Sequence, residues 1–170
     1  MKKYICVLLL AFCIFGIGIA QEQENTWKGT VRFNPADMLI NLHNVLPGMY
    51  VTWTPYILPN LGTPMEIDVN FGWGVLPGVE VSLLSGVEYI PIGLAGKDYN
   101  GLFLDAKIGL SLFFNEGAKA AFIAKSNIGY QFITKRGFVA TPAVGVVYNG
   151  RSGFGLNLMF DLGFAYRSDK

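Results

Sequence analysis

Apolar and polar side chains alternate along most of this chain. The longest run closes it: Leu156, Leu158, Phe160, Leu162, Phe164 and Tyr166 share one face, and Gly155, Asn157, Met159, Asp161, Gly163, Ala165 and Arg167 share the other. A period of two held for about twelve residues reads as a β-strand, and as one longer than the usual five or six residues. Met65–Val75 repeats the pattern, with Ile67, Val69, Phe71, Trp73 and Val75 set against Glu66, Asp68, Asn70, Gly72 and Gly74. Gly101–Phe114 does so again, with Leu102, Leu104, Ala106, Ile108, Leu110 and Leu112 opposite Phe103, Asp105, Lys107, Gly109, Ser111 and Phe113.

Shorter or less regular runs fill the intervals. Trp27–Phe33 alternates and stops at Asn34-Pro35. Met38, Leu39, Leu42, Val45 and Leu46 then fall at helical spacing, with Asn34 or Asp37 available as a cap and Pro47-Gly48 as a stop. This spacing predicts a short amphipathic helix over Ala36–Leu46, after the first strand. Met49–Tyr56 reads as a strand with two mixed faces, and Leu58–Pro64 as a turn. Val79–Ile90, Ala118–Phe132 and Phe138–Tyr148 are further strands, the last containing Pro142, which lacks a ladder donor and marks a bulge or bend. Eight strands joined by tight turns predict an all-β chain, an eight-stranded antiparallel up-and-down β-barrel.

Composition sharpens this. Of 170 residues, 52% are hydrophobic and only 15% charged, yet no apolar run of eighteen follows the first twenty residues. A spanning helix is therefore not predicted. The apolar side chains belong either to a soluble β core or to a membrane barrel that spreads them over every second position. The first twenty residues are expected to be a signal peptide. Lys2 and Lys3 precede the apolar stretch Tyr4–Ile19, and Gly18-Ile19-Ala20 places small residues for cleavage after Ala20. An uncleaved anchor would be short for a span, and a lipoprotein acylated at Cys13 would put bulky Phe12 where a small residue belongs. The expected organisation is 1–20 signal peptide, 21–26 polar tether, 27–167 barrel and 168–170 tail. Both cysteines, Cys6 and Cys13, fall within the signal, which leaves no disulfide or thiolate metal site. Without Lys2 and Lys3 the chain has eleven basic against twelve acidic residues and no basic block for nucleic acid.

The faces opposite the apolar ones collect Lys28, Arg32, Lys107, Lys119, Lys125 and Arg167 against Glu66, Asp68, Glu80, Glu88, Asp105 and Asp161. Six of each sign predict a paired charge network filling a narrow lumen, since unpaired buried charge is prohibitive. Ion selectivity would instead need one sign in excess. Glu66 and Asp68 have the spacing of an acid–base pair, but two carboxylates two apart on one strand are ordinary lumen residues. His43, the single histidine, has no adjacent serine, and no strand carries a histidine. An enzyme is not expected, nor any cofactor or metal. Trp27, Trp53, Trp73, Tyr89, Tyr130, Tyr148 and Tyr166 fall near strand ends, where aromatic girdles sit.

The hairpin Gly129-Tyr130-Gln131…Gly137-Phe138…Pro142…Gly145…Tyr148, together with the opening Asn34-Pro35, resembles small bacterial outer-membrane proteins. Nearest are the OmpW-like and OmpX-like eight-stranded proteins and uncharacterised outer-membrane families related to them. The closing strand departs from their assembly signal, since Arg167-Ser168-Asp169-Lys170 follows Tyr166. The resemblance implies an integral outer-membrane protein, matured by signal cleavage, delivered through the barrel-assembly machinery and surrounded by outer-membrane lipids. It implies a non-enzymatic role, structural or as a narrow conduit for small hydrophobic molecules. With a periplasmic C-terminus the outer turns Leu76–Gly78, Asn115–Gly117 and Asn149–Ser152 would be short, which argues against an adhesin. The alternative is a soluble periplasmic lipocalin-like barrel holding an apolar ligand. That reading turns the apolar faces inward and would need more Lys and Glu outside than this chain has.

Overall fold

The computed structural model describes residues 27–41, 45–58, 60–72, 78–91, 100–115 and 117–167. The elements are β1 (Gly29–Asn41), β2 (Val45–Leu58), β3 (Leu61–Gly62), β4 (Met65–Gly72), β5 (Gly78–Tyr89), β6 (Gly101–Asn115), β7 (Gly117–Ile133), β8 (Phe138–Asn149) and β9 (Gly153–Tyr166). Every pairing is antiparallel, each strand pairs with its neighbours in sequence except that β3 and β4 do not pair with each other, and β9 returns to pair with β1. Short β3 and long β4 both lie between β2 and β5, so they form one stave interrupted at Thr63-Pro64. The Thr63 amide donates to the Pro55 carbonyl (3.0 Å) and the Gly86 amide to that of Pro64 (3.1 Å), which carries the ladder across the interruption. The result is a closed barrel of eight staves with no free edge.

Where its residues are described, the helix expected over Ala36–Leu46 is strand instead; residues 42–44 lie outside the described residues. Residues 36–41 continue β1 and 45–46 begin β2, with Met38 opposite Pro47, Leu39 opposite Leu46 and Ile40 opposite Val45. On its other side this half of β1 pairs with Leu156–Leu158 of β9. A helix here would strip two neighbouring strands of their ladder partners, and closure of the barrel overrides the local spacing. Asn34-Pro35 does not end the strand either; the register shifts there by a bulge. Pro142 leaves no bulge. The β7–β8 register is the same on both sides of it, but the ladder skips from Gly129↔Ala143 to Phe132↔Ala140.

The two faces are sharply divided. Large apolar side chains point away from the barrel axis, among them Ile67, Leu83, Ile108 (63% exposed), Leu110 (62%), Leu156 and Phe164. Asp68 (0%), Lys107 (2%) and Lys125 (2%) are buried inside. The mixed faces of β2 are also settled: Tyr50, Thr52 and Thr54 turn inward, and Met49, Val51 and Trp53 outward.

Candidate functional site

The lumen gathers the charged positions of the strands. Nine of the twelve candidates are buried there: Arg32, Glu66, Asp68, Glu80, Glu88, Asp105, Lys107, Lys125 and Asp161. Lys28, Lys119 and Arg167 are exposed instead. Each has the inward parity but lies at or beyond a stave end, where no opposite wall covers it. The buried set is therefore three cations against six carboxylates, not six against six.

Each lysine meets this imbalance by bridging. Lys125 Nζ donates to Glu66 Oε1 (2.9 Å) and Asp68 Oδ2 (2.5 Å). Lys107 Nζ donates to Glu66 Oε2 (2.5 Å) and lies 3.2 Å from Asp105 Oδ2. Glu66 thus sits between two ammonium groups, which excludes it as a free general base. Thr52 Oγ1 completes its shell at 3.1 Å. Both ammonium groups also lie over the ring of Tyr50, at 5.9 and 5.3 Å from its centroid.

The remaining carboxylates are held by Arg32 or by neutral donors. Arg32 pairs with Glu88, and its Nη2 donates to Thr54 Oγ1 (2.9 Å). Asp161 accepts from the hydroxyl of Tyr50. Glu80 accepts from Ser111 and from Asn149 Nδ2. Asp105 accepts from the amide of Asn127 (3.0 Å) and its Nδ2 (2.7 Å), and Asn157 Nδ2 continues the chain to Asn127 Oδ1 (2.9 Å). These polar groups come from β1, β2, β4, β5, β6, β7, β8 and β9, so removing one member leaves buried charge inside the barrel.

Apolar side chains close the lumen at the end that carries Trp27 and Arg167. Trp27, Ile90, Phe103, Ile133 and Val139 pack together there, all at stave ends, with Tyr56, Ala143 and Ala165 against them. Trp27, expected in a girdle, is instead buried (5% exposed). At the far end Arg151 stacks on Phe113, its guanidinium 3.8 Å from the ring centroid. The cavity beside it, lined by Glu80, Ser111 and Asn149, holds about 10 Å³, barely room for one water. The nine lumen charges are 0–5% exposed, whereas the wall of an aqueous pore would be wetted.

Periodicity alone missed Tyr50 as part of this network, and Tyr56, whose hydroxyl accepts from Gln131 Nε2 (2.9 Å). The signal was there in β2, whose inward face is made of Tyr50, Thr52, Thr54 and Tyr56, but its other face looked equally mixed. Among the described residues no group of three or more His, Cys, Asp and Glu is arranged to hold a metal ion. His43 and the Ala20 cleavage site lie outside the described residues, as do Trp73, residues 21–26 and residues 168–170. The chain matches no protein-family model and no curated protein.

Proposed function

We propose that this protein is an integral outer-membrane β-barrel, non-enzymatic, whose filled lumen makes it a structural element of the envelope. The observation that carries the reading is the inverted distribution of side chains. Exposed aliphatic residues ring the barrel, and no described outward position between its aromatic belts bears a charge. One belt contains Phe71, Phe114, Phe122, Tyr148 and Phe154; the other contains Trp53, Tyr130, Phe132, Phe138 and Phe164. Along β9 the belts are ten residues apart, from Phe154 to Phe164. At about 3.3 Å per residue and a tilt of about 40°, that is a band about 25 Å tall, the height of an outer-membrane barrel's apolar band. Kinship to OmpW-like and OmpX-like proteins belongs to the same proposal and rests on the eight staves and the sequence resemblance.

A conduit for small hydrophobic molecules is the second reading, favoured by a concave apolar patch on the outer wall. It has a volume of about 660 Å³ and is lined by residues including Trp53, Met65, Ile67, Leu83, Ile108 and Leu110. The lipocalin-like alternative would leave the whole apolar exterior in water. The test is fractionation of the expressed protein, followed by gel migration with and without boiling. Recovery in the outer membrane with a heat-shifted band is the expected result. Recovery in the soluble periplasm would overturn the proposal.

A further inference from the structure

The exposed charges among the described residues are all basic. All six carboxylates with described side chains are buried in the lumen, while Lys28, Lys119, Lys135, Arg136 and Arg167 are exposed. Four of the five exposed cations gather on one arc of the rim at the end carrying Trp27. Lys135 and Arg136 lie in the β7–β8 turn, Arg167 follows β9, and Lys28 precedes β1, on adjacent staves. The backbone ties them together: the Lys28 amide donates to the Tyr166 carbonyl (2.9 Å) and the Ala165 amide to that of Gly137 (2.7 Å). Arg167 is further fixed by its stack on Trp27 (4.2 Å to the ring centroid) and by donation from Nη2 to the Lys135 carbonyl (3.5 Å). Among the described residues its guanidinium is anchored by an aromatic plane and a backbone carbonyl.

Directly beneath this arc, on the same staves and on β2, runs an aromatic belt. Tyr130 packs on Phe132 with ring centroids 4.5 Å apart, and Phe138 meets Phe164 edge-on at 6.2 Å. Trp53 Nε1 donates to the Tyr166 hydroxyl (3.0 Å) across β1. The Tyr166 ring can cross there because β1 has Gly29 at that point, where a Cβ would lie 2.4 Å from the hydroxyl oxygen. Aromatic rings with polar tips seat at the headgroup level of a bilayer, so the cations one step beyond them lie at the depth of the lipid phosphates.

We infer that Lys28, Lys135, Arg136 and Arg167 form a collar that binds the phosphates of anionic phospholipids in the leaflet on that side. The inference rests on the membrane reading above. Its physical basis is that basic residues near a membrane surface attract anionic headgroups additively, whereas an acidic protein partner would not need the belt beneath.

The test refolds the full-length mature barrel into phosphatidylcholine vesicles doped with phosphatidylglycerol whose acyl chains are brominated. Tryptophan quenching is compared with that from brominated phosphatidylcholine at the same dose. Gel migration without boiling reports the folded fraction in the same vesicles. The expected result is quenching several-fold stronger by the anionic lipid, falling toward parity in the variant K28Q/K135Q/R136Q/R167Q and, for the unaltered barrel, in high salt. If the variant does not refold, the salt titration of the unaltered barrel decides. Equal quenching by the two lipids in a folded native barrel overturns the collar and leaves the membrane reading standing, even if an acidic protein binds that rim. Failure to insert into any vesicle overturns both.

Discussion

At the scale of single residues, position relative to the wall decides what a charge does. Lys125 holds both Glu66 and Asp68. Lys125→Met removes the ammonium from Asp68, which keeps the side-chain amide of Asn70 (3.1 Å), and should cost about 3–5 kcal/mol in urea unfolding. Adding Asp68→Asn should return part of that loss. Purely additive effects would mean that the pair is not coupled. On the opposite face, Leu110→Arg should cost about 2–4 kcal/mol in vesicles if the site lies near mid-membrane. A full loss of folding that extends to water would point instead to a soluble core. The alternation in the sequence placed nine charges in the lumen and misplaced Lys28, Lys119 and Arg167. Parity tells which face a residue is on, but not whether a wall stands opposite it.

At the scale of elements, pairing outweighs local preference. The apolar spacing of Met38, Leu39, Leu42, Val45 and Leu46 suits a helix, yet residues on both sides of 42–44 form strand because β9 and β2 each present an edge that only an extended β1 can satisfy. The β5–β6 pair is similarly constrained. A Cβ at Gly109 would lie 1.9 Å from the Leu83 carbonyl oxygen, a backbone atom with no room to yield. Gly109→Ala should therefore cost about 1–3 kcal/mol by forcing the two strands apart. The shift of the unboiled gel band's melting temperature measures it, and an unchanged temperature would show that the strands can separate freely.

At the scale of the whole molecule, the lumen behaves as a core made of polar groups. Trp27, Ile90, Phe103, Ile133 and Val139 stop one end, and Arg151 on Phe113 narrows the other. No steady ionic current is expected through the protein in a planar bilayer. A stable open level in the unaltered protein would contradict a filled lumen. The absence of current and a normal heat-shifted band together would favour the structural role over an aqueous pore, while leaving the outer-wall groove for apolar molecules to be tested by uptake in a deletion strain.

The sequence by itself determined the staves, their number and the two faces of most of them, because side-chain alternation is a local property of extended chain. It also indicated that the charges share one face. Only the tertiary structure decided which charges pair, since Lys125 and Glu66 meet across the lumen from strands far apart in sequence. Closure likewise decided that residues 36–41 are strand, that three cations serve six carboxylates, and that Trp27 turns inward while Lys28, Lys135, Arg136 and Arg167 gather outside. Each depends on where the barrel wall ends, a boundary that no local pattern encodes.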